Sequence, residues 1–403
     1  MEREYLRRQN SGPQRHPQLY GSGRRRRGGP PWIVWVLLAL ALIVLATVVI
    51  VKLTTGGEAG LDEPPESASS SFFYSPPPES IPDPTPTPQP PAAQEPQAPQ
   101  SEPQDLGSLM AADGFGYAYY RFDEEAANQY ILAVDAAGRA LSGTAALYSL
   151  IAPTSMDVLL PEEYLVQHNV NSSDQRKALD RYLIPSINAM NPEVKTVPLF
   201  EPLRAHCGEA VYYGSDRTWT QLGGYYAYVE FCKTKGIEPA ALDSFTKEEY
   251  EGFLGGLSTE AGEAYALDPD TVTAYLPGGK TSLRYYDEEG ELAQWPVILN
   301  GEGYDSSLLY LIFAAGDHAY KELVNEDLPE GPVCVVVQDS FGNYFIPFLT
   351  RHYQKVVVVD CRYYEGSVKE LAAEEGAEDV ILLNSLFLTT DASAGERLAG
   401  LFG

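Results

Sequence analysis

PVCVVVQDSFGNYFIPFLTRHYQKVVVVD, residues 332–360, decides how the rest of the chain is read. Two short runs of β-branched residues, 332–338 and 355–360, flank a polar turn and a helical stretch. Strands covered on both faces read as continuous apolar runs, and parallel neighbours need a crossover, usually a helix. The same pattern recurs outward. LYSLIAP (147–153) and DVILLN (379–384) are further buried strands, and QRKALDRYLIPSIN (175–188), WTQLGGYYAYVEFCKTKG (219–236) and VKELAAEEG (368–376) are helical. The fold class expected is α/β, a parallel sheet flanked by helices. Region 245–305 departs from this, because alternation and tight-turn signals in TVTAYLP, GGK and SLRYYDEEGELAQWPVIL predict an inserted antiparallel β region. No internal repeat interrupts the pattern.

The first 110 or so residues cannot build a core. A basic tail (1–31) contains Arg24 to Arg27 and is followed by WIVWVLLALALIVLATVVIV, residues 32–51, without a charge or a glycine. Twenty residues at about 1.5 Å each span roughly 30 Å, the thickness of a hydrocarbon core. With arginines before the run and acidic residues after Lys52, the positive-inside rule predicts a transmembrane helix over 32–52 with its N-terminus cytoplasmic. A cleaved signal peptide fits less well, since its apolar region is shorter and ends in a small-residue cleavage site. Residues 53–110, including SPPPESIPDPTPTPQPPAAQEPQAPQSEPQ, favour extended polyproline II and read as a disordered spacer. The expectation is a single-pass protein of the cell membrane that holds an extracellular domain, 111–403, away from the bilayer.

The formal net charge of −28 is unevenly spread. Up to Lys52 nine basic residues face two acidic ones, so the remainder carries −35. Such a surface repels phosphate backbones and excludes nucleic acid as a partner of the folded part. Four cysteines permit but do not require disulfides. Cys334 and Cys361 sit at opposite ends of their strands, whereas Cys207 and Cys232 could be a bridge or two buried thiols. No metal-ligand spacing and no phosphate-cradling glycine loop occurs, so no cofactor is expected.

Two segments carry candidate chemistry. In Asp339-Ser340-Phe341-Gly342-Asn343, a serine at a strand-to-helix turn suits a nucleophile but equally suits a helix cap. In Tyr212-Tyr213-Gly214-Ser215-Asp216-Arg217-Thr218-Trp219, a short strand ends at Asp216, which could cap the helix that begins near Trp219. Tyr212, Tyr213, Tyr225, Tyr226 and Tyr228 could line a sugar cleft beside Trp219, although at helical spacing they also suit a core.

The chain from about Leu147 to Asn384 resembles the DHHW family, SGNH-hydrolase-like proteins related to alginate-type polysaccharide O-acetyltransferases. The resemblance runs through APTSMDVLLPEEY (152–164), YYGSDRTWTQLGGYYAY (212–228), FLGGLS (253–258), QDSFGNYFIPFLTRHYQKVVVVDCRYYEG (338–366) and EDVILLN (378–384). It implies an Asp-x-His-Trp segment supplying acid and base and a later Asp-Ser-Phe supplying the nucleophile, which places Asp216 and Ser340 in those roles. Here Thr218 stands at the histidine position. A threonine hydroxyl cannot take a serine proton at neutral pH, and the neighbouring Arg217 stays charged. His318, in AAGDHAY, is the best remaining base, while His168, His206 and His352 read as surface or structural residues, with His206 placed at the start of a strand. Tyr213, Arg217, Trp219, Asp339, Asn343 and His318 are the expected substrate-side residues. The implied function is action at O-acyl groups of a cell-surface polysaccharide, alongside envelope acyltransferase proteins and with impaired catalysis. A non-catalytic glycan-binding or scaffolding role is the alternative.

Overall fold

The strand Ala146–Ala152 shows how the layers arise. Its Tyr148 packs edge-on against Phe231 with ring centroids 5.0 Å apart. Ile151, three residues on, faces the other side together with its pairing partner Asn384, which accepts a hydrogen bond from the Tyr130 hydroxyl at 3.3 Å. Phe231 and Tyr130 belong to different helices, so helices cover both faces of the sheet, as in the expected α/β class. The structure, a computed structural model, describes residues 95–286 and 290–403, which lie in one unit, Ala92–Gly403.

The strands are β1 (Gln104–Asp105), β2 (Leu109–Ala112), β3 (Phe115–Ala118), β4 (Ala146–Ala152), β5 (Lys195–Val197), β6 (Thr246–Phe253), β7 (Asp270–Leu276), β8 (Thr281–Tyr286), β9 (Leu292–Trp295), β10 (Tyr320–Asn325), β11 (Val333–Gln338), β12 (Lys355–Asp360) and β13 (Asp379–Ser385). The main helices are α1 (Glu124–Leu141), α2 (Gln221–Lys235), α3 (Val368–Glu375) and α4 (Ala392–Gly400). Eight strands form the central sheet in the order β5-β4-β13-β11-β12-β10-β8-β9. The first five run parallel; β10, β8 and β9 extend the sheet antiparallel. Val335, Val336, Val337, Val356, Val357, Val358 and Val359 are all fully buried, which is why β11 and β12 read as unbroken apolar runs.

Local chemistry sets where the helices begin and end. Asp123 caps α1 by accepting from the Ala126 amide. Gly236, at φ 82°, closes α2 in the left-handed conformation that glycine adopts without a Cβ clash.

Three expectations change. The antiparallel region is not one insertion: β6 pairs with β7 in a separate two-stranded sheet, while β8 and β9 join the central sheet beside β10. Structure also starts before residue 111, because β1 and the start of β2 lie in the proline-rich stretch and pair where proline thins out. His206 does not start a strand; it ends the short helix Phe200–Ala205. The expected transmembrane run at 32–52 lies outside the described residues, among which no helix is long and apolar enough to cross a membrane.

Candidate active site

Open α/β sheets bind ligands beyond the carboxyl ends of their strands. At that rim β11 ends at Gln338, β12 at Asp360, and β13 at Ser385; β10 starts there, since Tyr320 pairs with Val359.

Ser340 opens a tight turn, Ser340–Tyr344, directly after β11. The capping role belongs to Asp339, whose carboxylate accepts from the Phe341 amide at 3.1 Å and from the Ser385 amide at 2.7 Å. Asp339 therefore ties the β11 loop to the end of β13 and is buried. It is not a substrate contact. The Ser340 hydroxyl is left free of the cap and donates to Asp317 Oδ2 at 2.7 Å.

Asp317 was not among the expected residues, although it directly precedes His318. Its Oδ1 accepts from Asn343 Nδ2 at 2.6 Å, and Arg362 reaches Oδ2 at 2.8 Å. Burial alone would raise this carboxyl, but the Arg362 guanidinium, the Ser340 hydroxyl and the Lys321 ammonium hold it below its ordinary value. Arg362 is itself fixed by two bonds to Asp360, at 2.8 and 2.5 Å. Asn343, expected to touch substrate, is buried and spent inside the protein: its Oδ1 accepts from Lys321 Nζ at 2.6 Å and from Gln338 Nε2 at 2.8 Å.

Asp317 sits on an unusual turn. Ala314, Ala315 and Gly316 have φ of 49°, 61° and 72°, a left-handed run that costs roughly 1–2 kcal/mol for each non-glycine residue. All three turn carbonyls are satisfied. Lys321 Nζ donates to Ala314 O at 3.2 Å and to Gly316 O at 2.8 Å, and His318 Nε2 takes Ala315 O at 3.1 Å.

The second loop reaches the same place. Asp216 does not cap α2; that role falls to Thr220, which accepts from the Gly223 amide at 3.3 Å. Nor does a strand end there, since only a single bridge, Tyr212 to Trp219, pairs the segment with itself. Asp216 instead accepts from the Thr218 amide at 3.0 Å, the Thr218 hydroxyl at 2.9 Å and the Gly256 amide at 2.7 Å. A Cβ on Gly255 would stand 2.3 Å from Asp216 Oδ2, so FLGGLS supplies glycine where backbone wraps the carboxylate. Two links join this loop to the Ser340 turn. Trp219 Nε1 donates to Phe341 O at 2.8 Å, and the Thr218 hydroxyl lies 3.5 Å from the Tyr344 hydroxyl. Tyr310 stands between the loops: burial, then the charges of Asp317 and Asp216, raise its phenol above the ordinary value.

Trp219 and Tyr213 are 0% and 1% exposed, so they fill the core under the loops and do not line a cleft. Tyr212, Tyr225 and Tyr228 are likewise buried, with Tyr228 hydrogen bonded to His352 Nε2 at 2.6 Å, while the half-buried Tyr226 stacks on His206 and donates to Glu209. Arg217 is exposed and pairs with Glu260.

No described histidine reaches Ser340. His318 donates to a backbone carbonyl, stacks on Tyr285 at 4.1 Å, and is pushed down to about 4 by burial, so it is a neutral donor. His168 stacks on Tyr164, His206 pairs with Glu209, and His352 is held by Tyr228. Cys207 and Cys232 are both thiols here, as are Cys334 and Cys361.

A sequence model described as DHHW protein matches residues 88–359. The chain belongs to the DHHW family. Among solved structures, a DHHW family protein from Eubacterium siraeum DSM 15702 is similar at 25% identity and TM-score 0.62, covering 73% of this chain and 95% of that one. PatB1 of Bacillus cereus, in a structure with a sulfonyl adduct, is similar at 17% identity and TM-score 0.55, covering 70% and 96%. A second PatB1 structure gives 16% identity, TM-score 0.53 and coverage of 73% and 98%. No curated protein matches the sequence. The DHHW match ends at Val359, so it takes in Ser340 and Asp216 but stops short of Arg362, which locks Asp317.

Proposed function

We propose that this DHHW protein works at O-acyl groups of a cell-surface polysaccharide, with Ser340 at the centre of its site and the acyl-transfer step slowed. In this reading the apolar run at 32–52 anchors the chain, and the proline-rich stretch carries the domain outward to the glycan and to envelope acyltransferase proteins. The carrying observation is the partner of the Ser340 hydroxyl. It donates to a carboxylate held ionised by Arg362, and no imidazole among the described residues is within reach. Asp317 orients Ser340, yet a carboxyl held below its ordinary value is a weak base, far from the neutral value that suits general-base catalysis.

Thr218 keeps the hydrogen bond to Asp216 Oδ1 that an imidazole N–H would make in its place. Thr218→His therefore supplies a base while Asp216 holds it. Ester hydrolysis that depends on Ser340 should rise by about 10²–10⁴-fold, the usual contribution of a general base. The assay compares the parent, Ser340→Ala, Thr218→His and the double variant on aryl acetate and on acetylated polysaccharide, with a sulfonyl fluoride marking Ser340. If Thr218→His/Ser340→Ala hydrolyses as fast as Thr218→His, the serine is not the centre and the reading fails. The close Ser340–Asp317 bond also favours a second reading, a glycan-binding domain without catalysis. Equal hydrolysis by the parent and Ser340→Ala, with retained polysaccharide binding, would select it.

A further inference from the structure

Lys321 is fully buried on β10, one register step from the rim, opposite Tyr285 of β8 and Val358 of β12. Its ammonium has three protons and makes three hydrogen bonds, to Ala314 O, Gly316 O and Asn343 Oδ1. Two of these acceptors belong to the left-handed turn that presents Asp317, and the third belongs to the side chain that grips the other oxygen of Asp317. Removing one proton takes a donor from this set; of the three acceptors, Asn343 Oδ1 keeps a second donor in Gln338 Nε2, whereas the two turn carbonyls depend on the ammonium.

We propose that Lys321 is a positioning residue, whose ammonium clamps the turn Ala314–Gly316 and so holds Asp317 against the Ser340 hydroxyl. The importance of that contact rests on Ser340 being the centre of the site. The charged groups facing Lys321 are Asp317 from the turn, Asp360 from β12 and Arg362 just beyond it, with His318 beside the turn. Burial pulls Lys321 down to about 8, with Asp317 and Asp360 opposing that fall and Arg362 adding to it. The clamp is therefore whole at neutral pH and weakens in mild alkali.

Hydrogen–deuterium exchange on the full chain tests this without asking Ser340 to react. Corrected for intrinsic rates, amides 314–319 should exchange about tenfold faster at pH 9 than at pH 7, as an opening that leaves Lys321 buried, without its turn acceptors and neutral requires. Amides of β11 and β12 should keep their protection. In Lys321→Met the same six amides should exchange fast at both pH values. Sulfonyl fluoride labelling of Ser340 should show an inflection near pH 8 in the parent that the variant lacks. Equal protection of the turn in parent and variant, or no pH step in the parent, overturns the clamp. Should Lys321→Met fail to fold, the pH step in the parent decides alone. A Ser340 that takes no label in either protein counts against the acyl reading, while exchange still decides the clamp.

Discussion

Replacing Lys321 by methionine should change how the stability of the protein depends on pH. In the folded chain burial brings this lysine from 10.5 down to about 8. Between those values the folded state has released the proton and the unfolded state still holds it. Stability rises with pH wherever the unfolded state binds more protons, so the parent should gain stability across this window. The fall from 10.5 to about 8, at about 1.4 kcal/mol per pH unit, amounts to about 3–4 kcal/mol in full, most of it gained by pH 10.5. Methionine has no proton to lose, and the other titrating groups are common to both proteins. The unfolding free energy of the parent minus that of Lys321→Met should therefore be flat up to pH 7 and climb by about 3 kcal/mol by pH 10.5. Urea titrations followed by tryptophan fluorescence at several pH values measure it. A difference that stays level through the window would refute the reasoning. The sign is informative, because the same deprotonation loosens the turn locally while it stabilises the domain globally. A lysine kept charged in the core against that cost is explained by what it holds in place.

Trp219→Phe removes the indole donor to Phe341 O at a fully buried position and should lower the unfolding free energy by about 1–3 kcal/mol, read from the urea midpoint. It should also slow sulfonyl labelling of Ser340, since the two loops lose their main tie. Asp157 is pushed up to about 7 by burial from an ordinary 3.8. Its folded state holds a proton that the unfolded state has released, so the parent should lose on the order of 4 kcal/mol as pH rises through this window. The melting temperature of the parent minus that of Asp157→Asn should fall over the same range, since the other titrating groups are common to both; a level difference would refute the assignment.

The parallel half of the fold was legible because burial on both faces leaves a plain mark in sequence. The runs 332–338, 355–360 and 379–384 became β11, β12 and β13 almost to the residue. The antiparallel half was less so. Alternation in SLRYYDEEGELAQW signals hairpins, but nothing in a two-residue period says which sheet a hairpin joins, and β8 joins the central one through β10. The site was half legible. Ser340 stood out because it follows an apolar strand, and Asp216 because of the segment around it. Asp317 and Lys321 did not, because their roles come from a left-handed turn at Ala314 and Ala315, where alanine gives no hint of positive φ. Asp339 and Asn343, close to Ser340 in sequence, are among the expected substrate-side residues. In three dimensions that closeness means crowding, and their polar atoms are consumed in fixing the loop.

The same accounting explains why the neighbourhood of Thr218 keeps its shape without an imidazole. Each other side chain of the segment has a bond of its own to satisfy. Asp216 gathers three donors, Ser215 donates to Asp270 Oδ2 at 2.5 Å, and Trp219 holds the Ser340 turn. Only the Thr218 hydroxyl bond to Asp216 runs through the side chain at 218, and a threonine makes it without being a base, so chemistry and architecture are separable there. What changes is the serine. With no described imidazole to receive its proton, Ser340 donates to the Asp317 carboxylate, and Arg362 holds that carboxylate ionised and paired. A base at 218 gives the hydroxyl a proton acceptor, and release of Asp317 frees it further. On this argument Thr218→His combined with Asp317→Asn should exceed Thr218→His alone in Ser340-dependent hydrolysis, because an amide in place of the carboxylate no longer competes as a charged acceptor. If the combined variant is slower, Asp317 aids the serine and does not restrain it.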